Sequence, residues 1–73
     1  MENNLNKVVN GNVRKLLMDS GITLTQMGKD MGIAQRTVYK HFSGSYDFRI
    51  SQLEWLADYF GVEVNTLFVV NGD

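Results

Sequence analysis

The 73-residue sequence has no cysteine, no proline and only one histidine. Without cysteine the chain forms neither disulfides nor thiolate metal sites, and one histidine is too few for an ordinary zinc site. Its apolar runs are only a few residues long, so no segment predicts a membrane-spanning helix. Its first four residues are polar and acidic, unlike a signal peptide. These absences favour a small cytoplasmic domain without a metal or cofactor.

The length of the chain predicts one domain over residues 1–73 with a small core. A core in a chain of this size supplies only about 3–5 kcal/mol, so compact helix packing or a partner subunit has to contribute. Glu54 and Asp58, four residues apart, are expected to be solvated surface, and no nucleophile with a paired base is visible. We therefore expect a protein that is not an enzyme.

Charge is distributed unevenly along the chain. Residues 1–49 contain all seven basic residues and four of the eight acidic ones, whereas residues 50–73 contain the other four acidic residues and no base. A molecule of this kind can present a positive face to an anion and keep its negative face away from it. Ordinary surface scatter is the alternative interpretation, and charge alone does not separate the two.

Hydrophobic periodicity predicts helices throughout the chain, because apolar residues recur at steps of three and four. The first helix is expected to begin between residues 6 and 12 and to end at Gly21. The others are expected between Thr23 and Gly32 and at about 34–42, 50–60 and 64–68. The inward stripe of the fourth helix is expected to be Ile50, Leu53, Leu56, Ala57 and Phe60. The predicted fold class is all-α, a compact bundle of five short helices.

Polar and glycine residues mark the second helix. Thr23 and Gln26 predict a capping box, in which the Thr23 hydroxyl accepts from the Gln26 backbone N–H while the Gln26 side chain reaches back. Gly32 is suited to the left-handed position that follows a helix. Gly28 is small enough to let this helix cross the next one closely.

The order of these residues resembles a helix-turn-helix. Its signature is carried by Met27-Gly28, Met31-Gly32-Ile33 and Val38. Segments 12–16, 53–62 and 65–68 extend the likeness on both sides. The chain resembles the five-helix DNA-binding domain of the lambda repressor and Cro family over about residues 8–68, which leaves residues 69–73 as a short tail.

This resemblance implies that the third helix, at about 34–42, lies in the major groove of DNA with its first residues at base edges. The implied base contacts are Gln35, Arg36, Lys40 and Thr37. Gln35 is suited to adenine, and Arg36 or Lys40 to guanine. Thr37 is suited to the methyl group of thymine. Taken singly, such residues are usually solvated helix surface, so their place in the motif carries the prediction.

The resemblance also implies phosphate contacts from helix N-termini and from the loop after the third helix. The candidates are Thr25, Lys29, Tyr39, Ser43, Ser45, Tyr46 and Arg49. Two positions depart from the family. Leu24 stands where many members carry a phosphate-binding glutamine, and Asp47 lies in a loop that is usually basic. We therefore expect weaker binding of the DNA backbone than is usual, and an affinity that depends on dimerisation.

The single histidine, His41, occupies a position that relatives usually fill with tryptophan or leucine facing the body of the domain. No second histidine and no suitable nucleophile accompanies it. A metal-binding or catalytic role is therefore disfavoured, and we expect a partly buried, neutral imidazole.

Two positions that relatives often fill with an arginine–glutamate ion pair are apolar here. They are Leu17, near the end of the first helix, and Phe42, at the end of the third. Replacement of only one of the two charges would leave the other buried without a partner, which destabilises a protein by about 3–5 kcal/mol. Replacement of both by apolar residues often leaves the stability unchanged. We therefore predict that Leu17 and Phe42 touch and join the two helices.

Apolar residues late in the chain predict a partner surface. They are Trp55 and Tyr59, off the inward stripe of the fourth helix, and Phe68, Val69 and Val70 after the last helix. The alternative is that the N-terminal residues through Leu5 fold over this patch. We expect a homodimer, at least on DNA, bound to a pseudo-palindromic operator in double-stranded DNA.

The resemblance implies a sequence-specific transcriptional regulator, a Cro-type repressor of a phage or bacterial host. The alternative is a protein-binding module on the same fold, an antirepressor or antitoxin-like partner that uses the acidic half. Added salt steeply lowers the affinity of a protein for DNA, but not the affinity of a protein that binds its partner through apolar contacts. The chain is either complete or the DNA-binding fragment of a longer repressor, and the sequence leaves both open.

Overall fold

The computed structural model describes residues 5–44 and 46–70, which form four α-helices and a 3₁₀ helix. They are α1 (Leu5–Ser20), α2 (Leu24–Met31), α3 (Gln35–Phe42), α4 (Ile50–Phe60) and the 3₁₀ helix Val64–Phe68. The predicted all-α fold is confirmed, and its last element takes the tighter form common in short helical segments. In this part of the chain no helix is long and apolar enough to cross a bilayer.

The start and end of α2 follow the cap residues of the sequence. Thr23 Oγ1 accepts from the backbone N–H of Gln26 at 3.0 Å, and Gly32, at φ 80°, ends the helix. The second half of the predicted capping box is wrong. The Gln26 side chain instead donates to Asp30 at 2.8 Å, because a carboxylate one turn along the same helix is a strong acceptor.

The core lies where one stripe of each helix meets the others. Its buried apolar residues are Val9, Val13, Leu17, Met27, Val38, Leu53, Leu56, Ala57 and Leu67. The prediction for Ile50 is wrong, since this side chain is 76% exposed. Ile50 is the first residue of α4, so it projects from the end of the stripe, beyond the packed part of the helix.

Two asparagines of α1 are buried, which the hydrophobic pattern did not indicate. Asn12 Nδ2 donates to the carbonyl oxygens of Leu67 at 2.7 Å and Val69 at 2.8 Å. Asn10 Nδ2 donates to the carbonyl oxygen of His41 at 3.1 Å. The Asn12 amide therefore ties α1 to the 3₁₀ helix, and the Asn10 amide ties α1 to the end of α3.

Gly28 is buried where α2 and α3 cross. A Cβ atom here would lie 2.7 Å from Val38 Cγ2 and 2.7 Å from Gln35 Nε2, closer than packed atoms allow. The backbone N–H groups of Gly32 and Ile33 donate to the Gly28 carbonyl at 2.9 and 3.1 Å. The predicted close crossing is confirmed, and it fixes the orientation of α3 relative to α2.

Candidate nucleic-acid interface

Helix α3 presents a basic face to solvent. Arg36 and Lys40 are exposed and lie four residues apart, so they share one side of the helix. Val38, on the other side, is fully buried. The packing of α3 therefore decides which face is free, and that face carries two cations.

Gln35 is half-buried and is held by Thr25 at the start of α2. Gln35 Nε2 donates to the carbonyl oxygen of Thr25 at 3.3 Å, and the Thr25 hydroxyl donates to Gln35 Oε1 at 3.4 Å. An amide has two N–H donors and two acceptor lone pairs, so one donor and one acceptor stay available. The structure thus joins two predicted contact residues, one from each helix of the motif.

Thr37 lies in a groove between α3 and the start of α4. It is half-buried, and the groove is also lined by Tyr46, Asp47 and Arg49. The structure therefore brings Thr37 together with two of the predicted phosphate contacts. The Asp47 carboxylate places a negative charge in the same groove, where an incoming phosphate is repelled.

The loop after α3 gathers three predicted contact residues. Lys40 Nζ lies 5.3 Å from the centre of the Tyr46 ring, within the range of a cation–π interaction. The Tyr46 N–H donates to the Lys40 carbonyl oxygen at 3.2 Å, and the Ser43 hydroxyl donates to the same oxygen at 3.1 Å. The loop therefore orders the last turn of α3 and the Lys40 side chain together.

The remaining predicted phosphate contacts lie on three different elements. Lys29 is exposed on α2, and Tyr39 is 57% exposed on α3. Arg49 is exposed immediately before α4, where its backbone N–H donates to Gln52 Oε1 at 2.7 Å. Ser45 lies outside the described residues.

His41 is 4% exposed and lies among aromatic residues. Its ring stacks on Phe48 with centroids 4.4 Å apart and meets the Tyr46 ring edge-on at 5.8 Å. Burial lowers the pKa of His41 below its usual 6.5, and the positive charge of Arg49 lowers it further. A hydrogen bond with the Tyr46 backbone and the negative charge of Asp47 oppose this shift. His41 is thus buried more completely than the partly buried imidazole that the sequence predicted, and the lowered pKa favours its neutral form at pH 7.

Phe42, the last residue of α3, is half-buried beside α1. The Arg14 guanidinium carbon lies 4.9 Å from the centre of its ring, and Phe48 meets the ring edge-on at 5.8 Å. Leu17 is buried in the core against which Phe42 packs. Direct contact between Leu17 and Phe42 stays a prediction, whereas the contact with Arg14 was not expected from the sequence.

The aromatic pair of α4 makes contacts within the chain and is only partly exposed. Trp55 and Tyr59 are half-buried and stack with ring centroids 4.5 Å apart. The Tyr59 hydroxyl donates to the Asp30 carboxylate of α2 at 2.5 Å, and this hydrogen bond raises the pKa of Tyr59 to about 12. The pair therefore also braces α2 against α4, which the stripe pattern of α4 alone did not reveal.

The residues after the 3₁₀ helix differ in their exposure. Val69 and Val70 are 52% and 73% exposed. Phe68 is half-buried and lines a pocket with Leu5 and Val9 of α1. Leu5 and Val9 of α1 therefore lie next to Phe68 and leave the two valines open to solvent. Residues 1–4, which the alternative interpretation also involves, lie outside the described residues.

Two short helices that cross at a buried glycine, with the second turned so that its polar face is free, have the architecture of a helix-turn-helix domain. The sequence agrees with this geometry, since residues 12–73 match the family model described as the Cro/C1-type HTH DNA-binding domain. The chain belongs to this family of DNA-binding domains. No curated protein and no solved structure matches the chain significantly.

Proposed function

We propose that the protein is a sequence-specific transcriptional regulator, a Cro-type repressor that reads the major groove with α3. The observation that carries this proposal is that Arg36 and Lys40 are exposed on α3, while Val38 on the opposite side of the helix is buried in the core. A helix fits the major groove, and cationic side chains one turn apart can reach neighbouring base edges there. The proposed role is non-enzymatic, without a cofactor, in the cytoplasm of a bacterial or phage-infected cell.

The proposed base contacts divide by chemistry. Arg36 or Lys40 donates to guanine, and Gln35 uses its remaining donor and acceptor at adenine. The hydrogen bonds to Thr25 support this role for Gln35, because they hold the amide in one orientation before DNA arrives. Thr37, which lines the protein groove between α3 and α4, contacts a thymine methyl group.

The proposed phosphate contacts include residues of both helices of the motif. They are Thr25, Lys29, Tyr39, Ser43, Ser45, Tyr46 and Arg49. The exposure of Lys29, Tyr39 and Arg49 supports this proposal. Because Asp47 lies in the groove that Arg49 lines, we expect this part of the interface to contribute little binding energy.

An acidic surface favours one alternative. Glu54 and Asp58 are exposed on α4, and residues 50–70 contain no base. A protein-binding antirepressor or antitoxin-like module would use this surface. The two functions are separated by measuring the affinity for a random-sequence DNA duplex from about 50 to 200 mM salt. For a DNA binder, each neutralised phosphate adds about −0.9 to the slope of log K against log salt. A slope near zero contradicts DNA binding as the function.

We further propose a homodimer on a pseudo-palindromic operator, with half-sites about one helical turn apart. The proposed partner surface comprises Trp55, Tyr59, Phe68, Val69 and Val70. The exposure of the two valines supports it, since adjacent open apolar side chains favour a partner. The small core that a partner subunit would support is a second argument.

Sedimentation of the free and DNA-bound protein tests this dimer. We expect two chains per tight-binding duplex for the wild type. Val70→Asp is expected to reduce this to one chain per duplex, because a charge in an apolar interface is left unpaired, while the thermal midpoint of the free monomer stays the same. A 1:1 complex of the wild type on every tight-binding site contradicts the proposal.

A further inference from the structure

Arg14 of α1 lies between the start of α2 and the end of α3. Its guanidinium carbon is 4.9 Å from the centre of the Phe42 ring, at the last residue of α3. Arg14 also lines a surface pocket with Leu24, the first residue of α2, and with Met18. The residue is exposed, so its charge faces solvent where the two helices of the motif approach α1.

Helix α2 begins with an apolar residue, Leu24, and in its first turn only the second residue, Thr25, is a proposed phosphate contact. Its first backbone N–H groups have no partners within the helix, and such an end favours a negative charge. Leu24 occupies this first turn and cannot donate to a phosphate. The Arg14 guanidinium is attracted by the Phe42 ring. It is repelled by the positive end of α2, unless an anion lies between the two.

We propose that Arg14 is a DNA phosphate contact, and that it supplies at the start of α2 the contact that Leu24 cannot make. This inference rests on the proposed docking of α3 in the major groove. A guanidinium that lies over an aromatic ring keeps its N–H edge free for two phosphate oxygens. Phe42 is then a positioning residue, because its ring holds the Arg14 side chain in place.

The neighbouring residue provides a matched control. Lys15 is also exposed, but it lines a different pocket of α1 with Asn12 and Thr66. Arg14→Gln and Lys15→Gln therefore remove the same charge from two sides of one helix. Fluorescence anisotropy of a labelled operator and of a random duplex, titrated at several salt concentrations, gives the affinity and salt slope of each variant.

Arg14→Gln is expected to reduce the magnitude of the slope of log K against log salt by about 1. It should lower the affinity for the operator and for the random duplex by the same factor. Lys15→Gln is expected to leave the slope unchanged. Arg14→Lys should keep the wild-type slope with an affinity several-fold lower, because a lysine cannot make the planar stack or the paired contact.

An Arg14→Gln slope equal to that of the wild type overturns the inference, and so does an equal loss in Lys15→Gln. Either result leaves DNA binding by α3 intact. A wild-type protein without salt-dependent DNA binding contradicts the proposed function itself, so the two failures are distinguishable. Thermal unfolding of each variant, expected to match the wild type, shows that the comparison concerns DNA contact rather than folding.

Discussion

Phe42→Ala is expected to lower the free energy of unfolding by about 3 kcal/mol. Truncation of a buried phenylalanine costs about 3–5 kcal/mol, and Phe42 is half-buried, so the lower end of this range applies. The substitution removes the edge-on contact with Phe48 and the ring beneath Arg14 together. Urea denaturation followed by circular dichroism measures the change.

A double-mutant cycle with Leu17→Ala tests the contact that the sequence predicts. If the two side chains touch, the effects of Leu17→Ala and Phe42→Ala depart from additivity by more than about 0.5 kcal/mol. Met18→Ala in place of Leu17→Ala is the control, because Met18 is 81% exposed and additivity with Phe42→Ala is expected. Additivity of the Leu17 pair means that the two residues pack on different neighbours, and the predicted contact is then wrong.

Asn12→Ala is expected to destabilise the protein by about 2–4 kcal/mol. The Asn12 amide donates to the buried carbonyl oxygen of Leu67, where loss of the donor costs about 1–3 kcal/mol. Its second hydrogen bond, to the part-buried carbonyl oxygen of Val69, adds about 1 kcal/mol. For a chain of this length the whole free energy of unfolding is about 4–11 kcal/mol, so the variant loses a large share of it.

Asn65→Ala is the matched control for Asn12→Ala, because Asn65 is exposed in the 3₁₀ helix. We expect its free energy of unfolding in urea denaturation to stay within about 0.5 kcal/mol of the wild-type value. If Asn12→Ala changes stability no more than Asn65→Ala does, the two hydrogen bonds do not hold the end of the chain against α1.

Local chemistry explains why the helix-turn-helix could be predicted from the sequence. The Thr23 cap, the small Gly28 and the left-handed Gly32 act within a few residues of their positions. The candidate base contacts followed from the same motif, since its register decides which residues of α3 face outwards. Ile50 departs from the pattern because periodicity does not tell where a helix extends past its neighbours.

Contacts between distant parts of the chain could not be predicted in this way. Asn12 bonds to a carbonyl 57 residues away, and Tyr59 bonds to Asp30 at a separation of 29 residues. An asparagine in a helix looks the same in the sequence whether it is solvated or buried. Arg14 gave no signal for the same reason, because its position over Phe42 depends on how α1 and α3 pack.

Selection of bound sequences from a random DNA pool, with the wild type and two variants, tests most directly that α3 reads DNA sequence. We expect the wild type to recover a pseudo-palindrome. Arg36→Ala should lower affinity for it by about 1–3 kcal/mol and relax one base pair in each half-site, whereas Lys29→Ala should weaken all sequences alike. An unchanged motif bound with unchanged affinity by Arg36→Ala would contradict this function of α3.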